Sequence, residues 1–389
     1  HPLPADCWGV YSWGNWRSGS TVLAPQVRGI PIVVSWADVE PEAGVYAFEK
    51  HVGTKLRAAS EAGYFVFLMM WFGPAAPDWI YEAGVPLVKC ETTMTPRRTV
   101  RNGEYPYYLD EDYVRYYYRV IRAFGAYVRG LPTELQQRVL FVQAAEGSTG
   151  DGGGYKGAPL DAKYAISKAV WGDFRIAAWD VYREAFQGGD GPGVRLLFND
   201  DANGAKEHAW LMANQTEFGC KQGMFSHGYH ISDTRARLER WRAFLGEAKA
   251  AGKYVFTRGE QDAEWEICGW SKKNPAQAFY WSALFASHCG LDMWNVPLKA
   301  CADERFGLAL DFFNRYAGQR EVGAKPMAFC AMRQGLDALD VTAFPEAAYG
   351  AAKKGNVERY LKIAAAFSSR GAYQGDPEKA VGGGMKNRQ

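Results

Sequence analysis

Residues 64–72 read YFVFLMMWF, which is the longest apolar run in the chain. A helix that crosses a membrane needs about 20 consecutive apolar residues, so this run is too short for that role. A short, continuous apolar run suits a strand that is buried on both faces. Both faces are buried when helices cover the two sides of a parallel sheet. The run therefore predicts a central strand of an α/β protein.

Runs of the same kind recur along most of the sequence, and helix-like stretches separate them. We count eight runs, which begin near Trp8, Ile30, Tyr64, Val139, Val194, Gly223, Lys253 and Leu291. The stretches with apolar residues at helical spacing are 49–62, 111–129, 162–186, 205–217, 234–250 and 275–288. Strands that alternate with helices indicate a parallel sheet. Eight such units predict an α/β fold of the (β/α)8 barrel type, with long loops after its strands.

A doubly wound sheet is the main alternative to this barrel. It requires a glycine-rich phosphate turn after its first strand, but the first predicted strand runs into Gly14, Asn15 and Trp16, and neither GxGxxG nor GxxxxGK[ST] follows it. We therefore expect no nucleotide cofactor. We expect residues 1–389 to form one catalytic barrel domain, with a helical tail from about residue 317 packed on the barrel. The long stretches 81–109 and 147–160 follow strands and are predicted active-site loops.

Composition and charge bear on the partner of the chain. The sequence has 14 Trp, 22 Tyr and 21 Phe, and many of them stand beside Gly, Asp, Asn or His. Aromatic faces exposed in a cleft are surfaces on which sugar rings stack. The formal net charge is only +2, so no global field attracts nucleic acid or an anionic membrane. We expect a carbohydrate substrate, and neither a nucleic-acid nor a membrane partner.

The chain begins at His1 without Met, which is consistent with the removal of a signal peptide. We therefore expect the protein to be secreted or periplasmic.

Polar residues at the carboxyl ends of barrel strands are the candidates for catalysis. Glu146 follows the fourth predicted strand and Glu260 the seventh. Two carboxyl groups at one barrel mouth are what glycosidic cleavage needs, one to protonate the leaving oxygen and one to attack or to activate water. Three nearby acids, Asp262, Glu264 and Glu266, compete with Glu260 for its role. The candidates for substrate binding are Trp13, Trp36, Glu40, Trp71, Asn199, Asp200, His227, Tyr229, Arg258, Trp265, Trp294 and Asn295.

Residues 36–48 read WADVEPEAGVYAF, which is similar to the second-strand segment of clan A glycoside hydrolases. The closest motifs are those of β-galactosidase-like families 35 and 42. Residues 73–80 (GPAAPDWI) resemble the P-x-W-[LI] of the same enzymes, and His227, Tyr229 and Trp294 stand where the clan often has a His, a Tyr and a sugar-stacking Trp. The resemblance implies a retaining enzyme with Glu146 as acid/base and Glu260 as nucleophile, and with no metal or other cofactor.

The chain departs from the clan at one informative position. Ala145 stands where the clan usually has an Asn that hydrogen-bonds the sugar 2-hydroxyl. Asn199, Asp200 or Asn295 would then supply that contact, or the substrate is modified at the 2-position. Cations near the predicted mouth favour sulfate or carboxylate groups, and they are Arg97, Arg98, Arg101, Lys156, Lys206, Lys221 and Arg258. A sulfated galactan or fucan is therefore one expected substrate class.

Two other functions fit the same residues. A catalytically silent carbohydrate-binding barrel would explain the absence of the clan Asn. A metal-dependent barrel hydrolase would use His208, His227 and His230 with Asp200 or Asp201.

Overall fold

The computed structural model describes most of the chain up to residue 318. The described residues are 3–4, 6–91, 103–189, 193–199, 204–221, 235–261, 279, 283, 286–287 and 290–318. Most of the predicted helix 275–288 and nearly all of the predicted tail lie outside these ranges. Of the helices that are described, none is long and apolar enough to cross a membrane.

Eight parallel strands close into a barrel, which confirms the predicted (β/α)8 fold. Their order around the barrel is β1-β10-β9-β8-β7-β6-β3-β2. The barrel strands are β1 (Gly9–Trp13), β2 (Val27–Ser35), β3 (Phe65–Trp71), β6 (Val139–Gln143), β7 (Leu196–Phe198), β8 (Glu217–Lys221), β9 (Tyr254–Glu260) and β10 (Met293–Pro297). Most of the apolar run 64–72 forms β3, and six of the seven residues of this strand are buried.

The sixth barrel strand is Glu217–Lys221, so the prediction that it begins near Gly223 is wrong. The strand carries two buried apolar side chains, the large Phe218 and the small Cys220. This apolar run is too short to indicate a strand in the sequence. The predicted helix 205–217 ends earlier than expected, at Asn214, because Gln215 already has extended backbone angles.

Ten α-helices lie within the described residues. They are α1 (Trp36–Val39), α2 (Thr54–Glu61), α3 (Trp79–Glu82), α4 (Glu111–Arg129), α5 (Thr133–Gln136), α6 (Lys168–Gln187), α7 (Ala205–Asn214), α8 (Arg235–Ala250), α9 (Leu298–Cys301) and α10 (Gly307–Tyr316). The predicted helix 111–129 is α4, which begins where the Asp110 carboxylate accepts the backbone N–H groups of Asp112 and Tyr113. The predicted helix 49–62 divides into a π-helix, Glu49–Gly53, and α2.

Part of the first long loop has regular structure. β4 (Leu87–Lys89) and β5 (Glu104–Pro106) pair antiparallel in a two-stranded sheet, and residues 92–102 between them lie outside the described ranges. The glycine-rich loop 147–160 is described throughout. Backbone angles there include a left-handed φ of 59° at Thr149.

The described residues group into two compact units. The first consists mainly of Ile30–Asp200 and Gly204–Cys220. Within it β3 pairs with β6, and Phe67 stacks on Phe141 across that pair with ring centroids 5.2 Å apart. Helices α4 and α6 pack side by side, with Phe124 against Phe186. Buried aromatic contacts of this kind stabilise the unit through the removal of apolar surface from water.

The second unit contains β1, β9 and β10 and consists of Pro4–Gly29 with the described residues from Lys221 onward. β10 pairs with β1 on one side and β9 on the other. Asn314 connects helix α10 to the residues of this unit near β1. Its side-chain Oδ1 accepts the Val10 N–H at 2.8 Å, and its Nδ2 donates to Gln26 O at 2.7 Å. Asp292 is buried and accepts the Thr257 N–H at 2.8 Å.

Candidate active site

Glu146 lies three residues beyond β6 and is fully buried. Its Oε1 accepts a hydrogen bond from the indole Nε1–H of Trp179 on α6. Its Oε2 accepts no hydrogen bond from a described residue, and the nearest cation is Arg175 Nε at 3.9 Å. A buried carboxyl with one unsatisfied oxygen is costly to keep ionised. The site therefore favours a carboxyl group that carries a proton.

The pKa of Glu146 reflects these surroundings. Burial raises the pKa above its ordinary value, and the effects of Arg175, Trp179 and Asn199 oppose that rise without cancelling it. Desolvation penalises the charged form of a carboxyl, while cations and donors favour it. The net result is an acid that holds its proton at higher pH than an exposed glutamate does.

The glycine-rich loop lies against the side chains that surround Glu146. Gly150 O accepts hydrogen bonds from Gln143 Nε2 at 3.0 Å and from Asn199 Nδ2 at 2.9 Å, and Gly152 O accepts one from Trp171 Nε1 at 2.8 Å. Gly147 has no room for a side chain, because a Cβ there would overlap the carbonyl oxygen of Gly153. The loop therefore packs closely on itself and on these side chains.

Asn199 follows β7, and its amide is engaged inside the protein. Its Nδ2 also donates to Ala144 O at 3.0 Å, and its Oδ1 accepts from Gln143 Nε2 at 3.2 Å. Ala145 is buried between two tyrosines, since its carbonyl accepts from Tyr117 at 2.7 Å and its N–H donates to Tyr182 at 3.2 Å. In this conformation Asn199 has protein partners where the sequence prediction placed a sugar hydroxyl.

Glu260 is the last residue of β9 and forms two ion pairs in the second unit. Its Oε1 accepts from Arg258 Nη2 at 2.6 Å, and its Oε2 lies 3.3 Å from Lys221 Nζ. The Glu260 side chain is 17% exposed. The alternation of a strand places Arg258 and Glu260 on the same face of β9, which is why residues two apart can pair here.

The pKa of Glu260 is shifted in the opposite direction from that of Glu146. Burial alone would raise it, but the charges and hydrogen bonds of Lys221 and Arg258 outweigh burial and lower the pKa to about 2. Glu260 is therefore ionised at any pH at which the protein is ordinarily handled.

Arg258 connects Glu260 to the neighbouring strands. It is fully buried, and its Nε donates to Asn295 Oδ1 at 2.7 Å. Asn295 in turn donates to Ser12 O at 3.0 Å. The guanidinium carbon lies 5.0 Å from the ring centroid of Trp13, a cation–π arrangement. Arg258 and Asn295 thus hold Glu260 in place and are engaged with protein atoms, although the sequence predicted that they bind substrate.

Trp36 and Glu40 were predicted to bind substrate, but the structure places both in a buried packing cluster. Trp36 Nε1 donates to Glu40 Oε2 at 2.7 Å, and the Gly44 N–H donates to Oε1 at 2.7 Å. Arg119 of α4 pairs with the same carboxylate. The ring of Trp36 packs edge-on against Trp79. Because neither side chain is exposed, the prediction of sugar contacts for them is corrected to a structural role.

Trp294 is also corrected. It is fully buried in β10, and its ring stacks on Phe279 with centroids 5.0 Å apart and packs on Phe313 at 5.3 Å. Because Trp294 is buried against these two phenylalanines, its ring has no exposed face on which a sugar could stack. Trp71, at the end of β3, lies beside Gly150 of the glycine-rich loop and keeps partial exposure.

Several predicted residues lie outside the described ranges. They are Asp200, His227, Tyr229 and Trp265, the competing acids Asp262, Glu264 and Glu266, the cations Arg97, Arg98 and Arg101, and the alternative metal ligands Asp201 and His230. Two predicted cations have acidic partners on the surface, Lys156 with Asp151 and Lys206 with Asp173. Within the part of the chain that is described, no group of three His, Cys, Asp or Glu side chains is arranged to hold a metal ion.

Sequence reasoning missed the partners of Glu146 on the outer helices. Arg175 and Trp179 are four residues apart on α6 and so share one helix face, which the helical spacing of that segment does suggest. Their proximity to Glu146, and that of Glu207 on α7 to Arg175 at 3.4 Å, depends on how these helices pack. No local pattern in the sequence pairs them.

No protein-family model and no curated protein sequence matches this chain. Solved structures similar to it include the catalytic domain of beta-amylase from Paenibacillus polymyxa, at 11% identity and a TM-score of 0.49, covering 80% of this chain and 98% of that one. A second is a glycoside hydrolase at 10% identity and a TM-score of 0.41, covering 75% and 88%. A third is xylanase 10B from Thermotoga maritima at 12% identity and a TM-score of 0.39, covering 70% and 74%. These similarities concern the fold, and the finer resemblance to families 35 and 42 stays a prediction.

Proposed function

We propose that this protein is a retaining glycoside hydrolase that cleaves O-glycosidic bonds of an oligo- or polysaccharide. The proposal is supported by one observation above all: Glu146 lies just beyond the carboxyl end of β6, Glu260 is the last residue of β9, and their environments shift their pKa values in opposite directions. Such a division is how proteins assign one carboxyl group as acid and another as nucleophile. The barrel supports the proposal, because enzymes with this fold place catalytic groups at the carboxyl ends of their strands.

In the proposed first step the Glu260 carboxylate attacks the anomeric carbon, and the bond from that carbon to the leaving oxygen breaks. The proton of Glu146 passes to the leaving oxygen. In the second step water attacks the glycosyl-enzyme, Glu146 takes a proton from that water, and the Glu260 carboxylate is released. Lys221 and Arg258 keep Glu260 ionised before the attack.

Because Glu146 is fully buried, the proposal includes a movement that brings it to the substrate. We propose that the glycine-rich loop makes this movement, because it follows Glu146 directly in the chain and its backbone carbonyls accept hydrogen bonds from Gln143, Asn199 and Trp171. Loops that close over active sites in this way also exclude water from the reaction.

The substrate class we propose is an anionic polysaccharide, such as a sulfated galactan or fucan. Lys221 supports this, because it is partly exposed beside Glu260 and an ammonium group pairs well with sulfate. The absence of the clan Asn at Ala145 agrees with a modified 2-position. We also propose that the protein is secreted or periplasmic, where such polymers are found.

The test begins with a screen of neutral and sulfated polysaccharides, with detection of new reducing ends. Glu146→Gln and Glu260→Gln should each lower kcat by several orders of magnitude while far-UV circular dichroism stays unchanged. Glu184→Gln and Glu247→Gln, which remove exposed carboxyl groups from α6 and α8, are the matched controls and should leave kcat unchanged. Proton NMR of the first product should show the anomeric configuration of the substrate. A Glu260→Gln enzyme with near-normal rate refutes the assignment.

A catalytically silent carbohydrate-binding barrel is a second candidate, and the complete burial of Glu146 favours it. This function requires binding without turnover. Isothermal calorimetry with the same polysaccharides separates the two candidates, because a silent barrel binds a polymer whose reducing ends do not increase over days of incubation.

A further inference from the structure

The side chain of Arg175, on α6, lies near both Glu146 and Glu207 of α7. Besides its position 3.9 Å from Glu146 Oε2, it donates through Nη2 to Asn199 O and through Nη1 to Glu207 Oε1 at 3.4 Å. Its guanidinium carbon lies 5.0 Å from the ring centroid of Trp179. The planar guanidinium group thus lies close to four different neighbours at once, and it brings a positive charge beside Glu146.

Glu207 is the acidic partner of Arg175 in this arrangement. It lies on α7, and both side chains are nearly buried, with 12% of Arg175 and 14% of Glu207 exposed. Charges with so little access to water interact more strongly than surface pairs do. The distance from Arg175 to Glu207 is also shorter than its distance to Glu146. Arg175 therefore interacts more strongly with Glu207 than with Glu146.

The other groups around Glu146 do not carry charge. Tyr117 of α4 and Tyr182 of α6 both hydrogen-bond to Ala145 beside it, and burial raises the pKa of each above its ordinary value. Trp179 and Asn199 are donors that do not titrate. Arg175 and Glu207 are therefore the described charged groups that face Glu146 from the helices packed against it.

We propose that Arg175 and Glu207 act as a positioning pair for Glu146, in which Glu207 draws the arginine away and leaves the Glu146 carboxyl able to carry a proton. The role rests on the proposed function, because only an acid/base residue needs this control. Without Glu207, the whole charge of Arg175 would act on Glu146 and favour its ionised form. Without Arg175, the ionised form would lose the one cation that lies near it among the described residues.

The two single variants should therefore shift the titration of Glu146 in opposite directions. Glu207→Gln keeps the size and the acceptor of the side chain and should lower the pKa of Glu146 by about one pH unit. Arg175→Met should raise it by a similar amount, and the double variant should lie between them. Arg175→Lys retains the charge and should stay near the wild type. If Arg175 and Glu207 only contributed to packing, the two single variants would not shift the pKa of Glu146 in opposite directions.

The measurement is a carbon-13 NMR titration of the full chain with labelled glutamate carboxyl groups. The Glu146 signal is assigned as the one that disappears in Glu146→Gln. Glu184→Gln removes an exposed carboxyl from the same helix as Arg175 and is the control for a general charge effect. If Arg175→Met does not fold, Glu207→Gln still decides the question.

The pair is supported if Glu207→Gln lowers the Glu146 midpoint and Glu184→Gln does not. It is overturned if Glu207→Gln leaves the midpoint unchanged or raises it. Failure of the proposed function would be seen in a different experiment, as activity retained in Glu146→Gln. The two outcomes can therefore be told apart, because the activity assay does not depend on the titration.

Discussion

The ion pairs of Glu260 make a quantitative prediction about stability. Its pKa falls from an ordinary value of 4.5 to about 2 in the folded protein. A lowered carboxyl pKa stabilises the folded state above the unfolded pKa, and that stabilisation is lost as pH falls through the folded pKa. The difference between these two pKa values corresponds to about 3 kcal/mol of stabilisation of the folded state. About 2 kcal/mol of this stabilisation should be lost between pH 7 and pH 3.

Replacing Glu260 with Gln removes this titration. The variant should be less stable than the wild type at pH 7, because Arg258 is fully buried and loses its charged partner. As the pH is lowered to 3, the difference in unfolding free energy between wild type and variant should narrow by about 2 kcal/mol. Urea denaturation followed by Trp fluorescence at several pH values measures that difference.

Glu247→Gln is the control, since it removes an exposed carboxyl from α8, the helix that precedes β9. A difference between wild type and Glu260→Gln that stays constant from pH 7 to pH 3, or widens, would show that Lys221 and Arg258 do not hold Glu260 as an ion-paired carboxylate.

Three further predictions test the corrected roles and the loop. Glu40→Ala should destabilise the protein by about 3 kcal/mol in urea denaturation, because it leaves the donors around this buried carboxylate without an acceptor; an unchanged midpoint would contradict a structural role. Trp294→Ala should cost about 3–5 kcal/mol of stability through loss of core packing, whereas a sugar-stacking residue would change KM with little effect on unfolding. Gly147→Ala should open the glycine-rich loop, seen as faster limited proteolysis there, while Gly153→Ala, where a Cβ meets nothing within 4 Å, should behave as the wild type; equal cleavage of the two variants would argue against a close-packed loop.

The alternation of apolar runs with helical stretches was enough to predict the barrel. A parallel strand that helices cover on both faces must be apolar along its length, and β3 and β6 show this in the sequence. The helix 111–129 was predicted to the residue from the helical spacing of its apolar residues, and in the structure Asp110 caps its start and Gly130 follows its end. The strand Glu217–Lys221 was not predicted, since a strand of five residues whose apolar side chains are one Phe and one Cys has no distinct pattern.

The fold class and the candidate residues Glu146 and Glu260 could be read from the sequence, because position at the end of a strand is a local property of the chain. The surroundings of the two glutamates could not be read in this way. Trp36 and Trp294 follow the same local rule and are nevertheless core residues, since exposure depends on which helix packs over a strand. The opposite pKa shifts of the two glutamates arise because burial raises the pKa of Glu146 despite Arg175, whereas Lys221 and Arg258 lower the pKa of Glu260. Charge interactions act through space over a few ångströms, and such distances between residues remote in the chain exist only once it has folded.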